Sequence, residues 1–346
     1  MWVPAERAMD RGTYRLRPFE EQDYPAFVRL FAEVNPENAV TVEEVRHWEK
    51  AFRAPHLVDE KWTVVERRTN EPVAFCEMSH SAFSYHPQKL WATANVTRSH
   101  QGKGIGRDLA LLLESEAAAH RVTHFWTSVR SDDPRALEFA RKQGFVEQRR
   151  LWLSTLDVEK ASVPPPSESA ARLLREGVTF TTLAEEGVHD AEVRRRLFSL
   201  LEEASRDVPR MGEYTPITYE QFVAELDGPG LVADGYFLAR YGEAYVGSSN
   251  LERDLAHPDS LRVGFTGTRA SYRGRGVATE LKRRTIEYAR THAVRYLRTV
   301  NDSLNRPMWG INEKAGFRRT VEWVNLERRF PSSGPDAPAP GPGPST

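Results

Sequence analysis

The chain has 346 residues, enough for two domains of ordinary size, each with its own core. With 48 basic against 49 acidic residues it has no global field to recruit nucleic acid or an anionic membrane, so neither is an expected partner. Its lone cysteine, Cys76, excludes an internal disulfide. No apolar run approaches the roughly 20 residues that cross a bilayer, and no signal-peptide core opens the chain, so the expected compartment is cytoplasmic.

Taken in order, Tyr14-Arg15-Leu16-Arg17 alternates as a strand does, and Pro18 ends it before a helical pattern carrying Phe27, Leu30 and Phe31. Residues 41–53 give a second helix. Two strands follow, Trp62 to Glu66 and Val73 to Met78, joined by the turn Thr69-Asn70-Glu71-Pro72. A fourth strand over about Leu90 to Thr97 feeds a glycine-rich loop, after which Leu109, Leu112, Leu113 and Ala117 recur at helical spacing. A strand near Thr123 to Val129, a helix from Pro134 through Lys142 closed by Gly144-Phe145, and a strand over about Gln148 to Leu156 complete the unit.

The proline run Val163-Pro164-Pro165-Pro166-Ser167 then marks a stiff linker over 158–176. Beyond it the pattern restarts: a strand near Thr179 to Leu183, helices from Asp190 to Ala204 and around Tyr219 to Leu226, and a hairpin of Tyr236 to Arg240 with Ala244 to Asn250. Val246-Gly247 answers Val73-Ala74 at an offset of 173, and Gly316-Phe317 answers Gly144-Phe145 at 172. The chain reads as two copies, 12–157 and 177–330. After Phe330, six prolines and three glycines in sixteen residues cannot bury a core, so 331–346 is expected to be a disordered tail.

The strongest feature is a loop that occurs twice, as Gln101-Gly102-Lys103-Gly104-Ile105-Gly106 and as Arg273-Gly274-Arg275-Gly276-Val277-Ala278. Small residues at alternate positions let the backbone pass close to a ligand while its N–H groups converge at a helix N-terminus, which makes an anion site. A dinucleotide fingerprint would need glycine at Arg107 and Thr279, and a P-loop would need a Gly-Lys-Ser/Thr ending that neither copy has. Both copies fit Q/R-x-x-G-x-G/A. This resembles the pyrophosphate loop of the GNAT acyltransferases, and with the order of elements and the terminal Gly-Phe the resemblance covers both copies. The second copy, with Asn301-Asp302-Ser303-Leu304-Asn305-Arg306-Pro307-Met308, Asn312 and Ala315-Gly316-Phe317, is similar to the tandem GNAT proteins that include mycothiol synthase.

The resemblance implies an α/β (α+β) fold of two tandem GNAT domains, each a mixed, splayed β-sheet flanked by helices. It implies acetyl-coenzyme A (acetyl-CoA) as co-substrate, no metal, and direct attack on the thioester by a primary amine of a small molecule or a peptide. The two loops would bind the pyrophosphate. The backbones of Val96 and Thr268, five residues before each loop, would bond the pantetheine arm, and Asn301 and Asn305 its amides. Asp133 stands at the equivalent turn of the first copy, with no asparagine, so the second copy is the better match. The tyrosine that the family often places four residues before the terminal glycine is replaced by Ala140 and Asn312. Glu77, on the third strand of copy one, and Glu252, just past the third strand of copy two, are the candidate bases. Two alternatives stand beside this reading: catalysis in the first copy with the second as scaffold, and an acyl-CoA sensor without turnover. Oligomeric state is left open.

Other chemistry finds little support. His120 and His124 straddle a helix-to-strand passage and have no Glu or Cys companion at metal spacing. Gly247-Ser248-Ser249 lacks the form of a nucleophile elbow. Trp62, Trp126 and Trp323 fall in periodic segments and are expected in cores. Glu202, Glu203, Asp207 and Glu213 precede the second hairpin, where they would either attract a cationic amine or form a solvated helix face.

Overall fold

The computed structural model describes residues 12–161 and 168–331. The first half runs β1 (Tyr14–Pro18), α1 (Tyr24–Val34), α2 (Val42–Phe52), β2 (Asp59–Glu66), β3 (Pro72–Ser79), β4 (Lys89–Val96), α3 (Ile105–Ala119), β5 (His124–Arg130), α4 (Pro134–Lys142) and β6 (Val146–Asp157). After α5 (Glu168–Arg175), the second half runs β7 (Val178–Thr182), a single turn α6 (Leu183–Glu186), α7 (Ala191–Ser205), α8 (Tyr219–Leu226), β8 (Leu231–Tyr241), β9 (Ala244–Arg253), β10 (Ser260–Thr268), α9 (Val277–Thr291), β11 (Tyr296–Asp302), α10 (Arg306–Lys314) and β12 (Arg318–Arg329). The sequence reading of the proline run at Pro164 to Pro166 and of the tail beyond 331 lies outside the described residues.

Local chemistry sets the helix starts. Thr41 with Glu44 and Thr218 with Gln221 form reciprocal capping boxes for α2 and α8, and Asp133 caps α4 ahead of Pro134. From α3 onward the halves run in constant register, since α3 and α9, β5 and β11, α4 and α10, and β6 and β12 are each offset by 172 residues.

All twelve strands form one sheet, ordered β1-β2-β3-β4-β5-β12-β6-β11-β10-β9-β8-β7. Its centre is an exchange. β5 takes β12 of the second half as its antiparallel neighbour, β11 takes β6 of the first half, and β6 and β12 pair with each other. The cores follow the exchange: Phe330 packs edge-on against Phe125 at a ring separation of 5.1 Å in the first half, while Leu156 and Val158 join Ile286, Leu297 and Phe317 in the second. The helix α5 lies inside the stretch read from sequence as linker. Its Leu173 is fully buried with Val178, Val246, Val277 and Leu281, so the chain is packed onto the second half before β7 begins.

In each half the two central parallel strands pair only briefly. β4 and β5 are in register from Lys89 with His124 to Trp91 with Trp126, and β10 and β11 from Ser260 with Tyr296 to Arg262 with Arg298. Beyond those points the strands diverge, which leaves two clefts in the sheet.

Candidate functional site

Both glycine-rich loops adopt the same backbone. Gly102 and Gly274 have φ of 80° and 70°, and Gly104 and Gly276, at 91° and 93°, are left-handed N-caps without a side-chain cap. Glycine takes this conformation freely, and the uncapped first-turn amides of α3 and α9 point out of each loop. Their surroundings differ. At the first loop a side chain added to Gly104 would meet nothing within 4 Å, and Lys103, Arg107 and Arg135 are exposed and without an ion pair among the described residues. Gln101 donates from Nε2 to the carbonyl of Val96 at 3.1 Å, tying the loop to β4. At the second loop Arg273 pairs with Asp207 at 2.5 Å and Arg275 with Glu176 at 2.7 Å. Arg172 of α5 donates to the Arg275 carbonyl at 3.2 Å, and Ser169 lies directly against Gly276.

Behind the second cleft lies a linked set of polar groups. β10 breaks register with β9 between Val263 and Thr266, and the freed amide of Phe265 donates to Asn250 Oδ1 at 2.7 Å. Asn250 Nδ2 in turn donates to Glu252 Oε1 at 2.6 Å. Glu252 lies within β9, not past its end as the sequence suggests, because β9 continues to Arg253 through pairing with Leu261 and Arg262. Burial pushes its carboxyl up, with the Asn250 bond and Arg262 opposing. Gly264 leaves the space that the Glu252 and Asn250 side chains occupy.

Glu252 borders two spaces. One lies in the splay of β10 and β11, lined by Val263, Gly264, Thr299 and Val300. The other is a cavity of about 260 Å³ walled by α7, α8 and β8–β10 of the second half and by α2 of the first. Glu225 also faces the cavity, and burial together with Glu252 raises its pKa to about 7. Arg262 is held by Glu44 of α2 and lies 3.7 Å from Asp254, which also meets Arg298 and His257.

The remaining sequence candidates fall as follows. Glu77 sits on the face of β3 that packs on α1, beside Lys61, and burial pushes its carboxyl up while Lys61 opposes. It is two strand positions out of step with Glu252: at the offset of 173, its counterpart is Asn250. Thr268 is buried and pairs with Gly247, and Val96 pairs with Ala74. Asn301 accepts from Nδ2 of fully buried Asn312 at 2.7 Å, and Asn305 caps α10 through Met308. Ala140 is buried in a small apolar cluster with Val324 and Leu326.

Sequence spacing missed three groups. Glu225 and Tyr236 line the cavity, but they stand apart from every motif along the chain. His120 parts from His124 and instead meets Glu60 of β2 at 2.9 Å, with Glu116, one turn back along α3, alongside. Of the acidic stretch, Glu202 lines the cavity, whereas Glu203 and Asp207 are ion-paired with Arg269 and Arg273.

Comparison with known proteins accounts for this arrangement. Residues 20–145 match the model of the acetyltransferase (GNAT) family and residues 189–318 that of the acetyltransferase (GNAT) domain, so the chain belongs to the GNAT acetyltransferases. Its two domains in one chain place it among the tandem members. Solved structures with the same fold include a tandem GNAT protein from the clavulanic acid biosynthesis pathway, at 17% identity and a TM-score of 0.70, covering 91% of this chain and 98% of that one. A GCN5-related N-acetyltransferase from Sphaerobacter thermophilus aligns at 19% identity and a TM-score of 0.65 over 91% and 95% of the two chains. No curated protein matches. Among the described residues no helix is long and apolar enough to cross a membrane.

Proposed function

We propose that the protein is an N-acetyltransferase that moves the acetyl group of acetyl-CoA to the primary amine of a small molecule, with the chemistry in the second half. The observation that carries this is the position of Glu252, on the boundary between the splay of β10 and β11 and the cavity. A thioester carried in the splay and an amine carried in the cavity would meet at that carboxylate. Glu252 takes the proton of the amine, directly or through water, and the neutral nitrogen attacks the thioester carbonyl. The C–N bond forms, the nitrogen releases its second proton to water, the C–S bond breaks, and the thiolate leaves and gains a proton, giving free coenzyme A and the N-acetyl product. Backbone amides of β10 that the splay leaves unpaired with β11 would stabilise the oxyanion. With Ala140 and Asn312 at the family's tyrosine positions, the thiolate takes its proton from water.

A second reading places the donor in the first half, with Glu77 as base, and the open first loop favours it. Charge reversal separates the two. Arg273→Glu with Arg275→Glu should weaken coenzyme A binding roughly 10- to 100-fold, as loss of a charge-assisted bond to phosphate does, while Lys103→Glu with Arg107→Glu leaves acetyl transfer intact. Transfer lost only with the first-loop pair would move the catalytic donor site to the first half. Free thiol released in step with acetylated amine distinguishes an enzyme from a sensor.

A further inference from the structure

The chemistry of the acceptor is written in the walls of the cavity behind Glu252; this inference rests on the acyltransferase reading above. The cavity holds about 260 Å³, near the lower end of small-molecule sites. Its apolar walls include Phe198 and Phe222, 5.4 Å apart, on the second half, and Trp48 on α2 of the first. Four carboxylates line it, Glu44, Glu202, Glu225 and Glu252. Among the described residues Glu225 Oε2 has no hydrogen-bond partner, and neither does His47 Nε2, 4.0 Å away. Of the two arginines in the lining, Arg262 is engaged by Glu44, and Arg253 donates to the Leu231 carbonyl at 3.0 Å. Glu225 and Glu252 therefore repel each other beside an apolar space.

One positive charge relieves that repulsion, and one apolar body fills the aromatic walls, where a cation also gains from the ring faces. Other acceptors fit badly. A polyamine would bury ammonium groups beyond the one that Glu225 and Glu252 call for, an amino sugar would bury hydroxyls without partners, and an α-amino acid would bring a further carboxylate.

We propose that the acceptor is a primary amine on a single aromatic or branched aliphatic body, with its nitrogen between Glu225 and Glu252 and its body against Trp48, Phe198 and Phe222. The first half then contributes Trp48 as a specificity wall for chemistry carried out in the second.

The test uses phenethylamine as probe, with spermidine, glucosamine, lysine and a lysine peptide as competitors. Binding to the full chain is measured by calorimetry without donor, and turnover by thiol release with acetyl-CoA. Phenethylamine should bind, Trp48→Ala and Glu225→Gln should each weaken it at least 10-fold, and Trp48→Phe should keep most of the affinity with an unchanged melting temperature. Its kcat/KM should exceed that of every competitor by more than 10-fold. Preferred binding or acetylation of spermidine, glucosamine, lysine or the peptide overturns the proposal and leaves the acyltransferase reading standing, and so does a phenethylamine affinity indifferent to Trp48→Ala and Glu225→Gln. Failure of every probe to bind overturns the proposal as well. Binding of phenethylamine with the stated sensitivities but no thiol release with any amine upholds the pocket assignment and defeats the acyltransferase reading.

Discussion

Gly264→Ala perturbs the site without replacing a reacting group. Its φ is not in the left-handed region, so alanine brings no backbone strain there, but the new Cβ would overlap Glu252 Oε1 and lie 2.7 Å from Asn250 Nδ2. Restoring ordinary contact, at about 3.5 Å, moves the carboxylate by about 1 Å. That shift stretches the 2.6 Å bond from Asn250 to Glu252 and loads the 2.7 Å bond from the Phe265 amide to Asn250. The first is charge-assisted, at about 1.5–3 kcal/mol, and the second contributes about 1 kcal/mol, so the loss of stability is bounded at roughly 2–4 kcal/mol. A displacement of about 1 Å at a catalytic group costs up to about 100-fold in rate. The assay is kcat/KM for the amine, with the melting temperature and the affinity for coenzyme A as controls. A large fall in kcat/KM with donor affinity retained is expected; an alanine variant with the parent's kcat/KM would refute the placement of Glu252.

Three further outcomes follow from the packing. Lys282 is almost fully buried on α9 above the Phe317 ring, and burial lowers its pKa to about 7; Lys282→Met should therefore stabilise the protein at pH 7 by about 1–4 kcal/mol, and the gain should vanish as pH rises toward 10.5, where the unfolded lysine also becomes neutral. Glu225 is raised, so the folded state keeps a proton that the unfolded chain has lost; its contribution to stability falls as pH rises from 4.5 through about 7, and Glu225→Gln should flatten that part of a melting-temperature profile. The exchange of β6 and β12 predicts that residues 1–160 alone, lacking the strand that completes β5, fail to form a folded monomer by size exclusion and circular dichroism, while co-expression with 161–346 restores the fold.

Local signals made much of the fold legible. Hydrophobic spacing and caps placed α4 and α8 at their ends and marked the buried face of α3, and the glycines at 104 and 276 marked two left-handed helix entries. The exchange was not legible, because β6 and β12 show the same alternation whichever strand they pair with. The helix α5 was hidden beside the proline run, where only Ala170 and Leu173 mark its buried face. The site was legible in part. Glu252 is a candidate in the sequence, but its place inside β9 depends on Arg262 pairing across from β10, and its partner Asn250 acts through a register break that a single strand cannot reveal. Glu225 and Trp48 come from different halves and meet only through the packing of α2 against α8.

The measurement closest to the central claim is a pH-rate profile for acetyl transfer to a working amine in the parent, Glu252→Gln and Glu77→Gln. Glu252→Gln should lose about 10²- to 10⁴-fold in kcat/KM, the range of general-base assistance, and its rate should climb only as the free amine deprotonates, while Glu77→Gln follows the parent. A Glu252→Gln profile that overlays the parent, or a collapse in Glu77→Gln alone, would contradict catalysis in the second half.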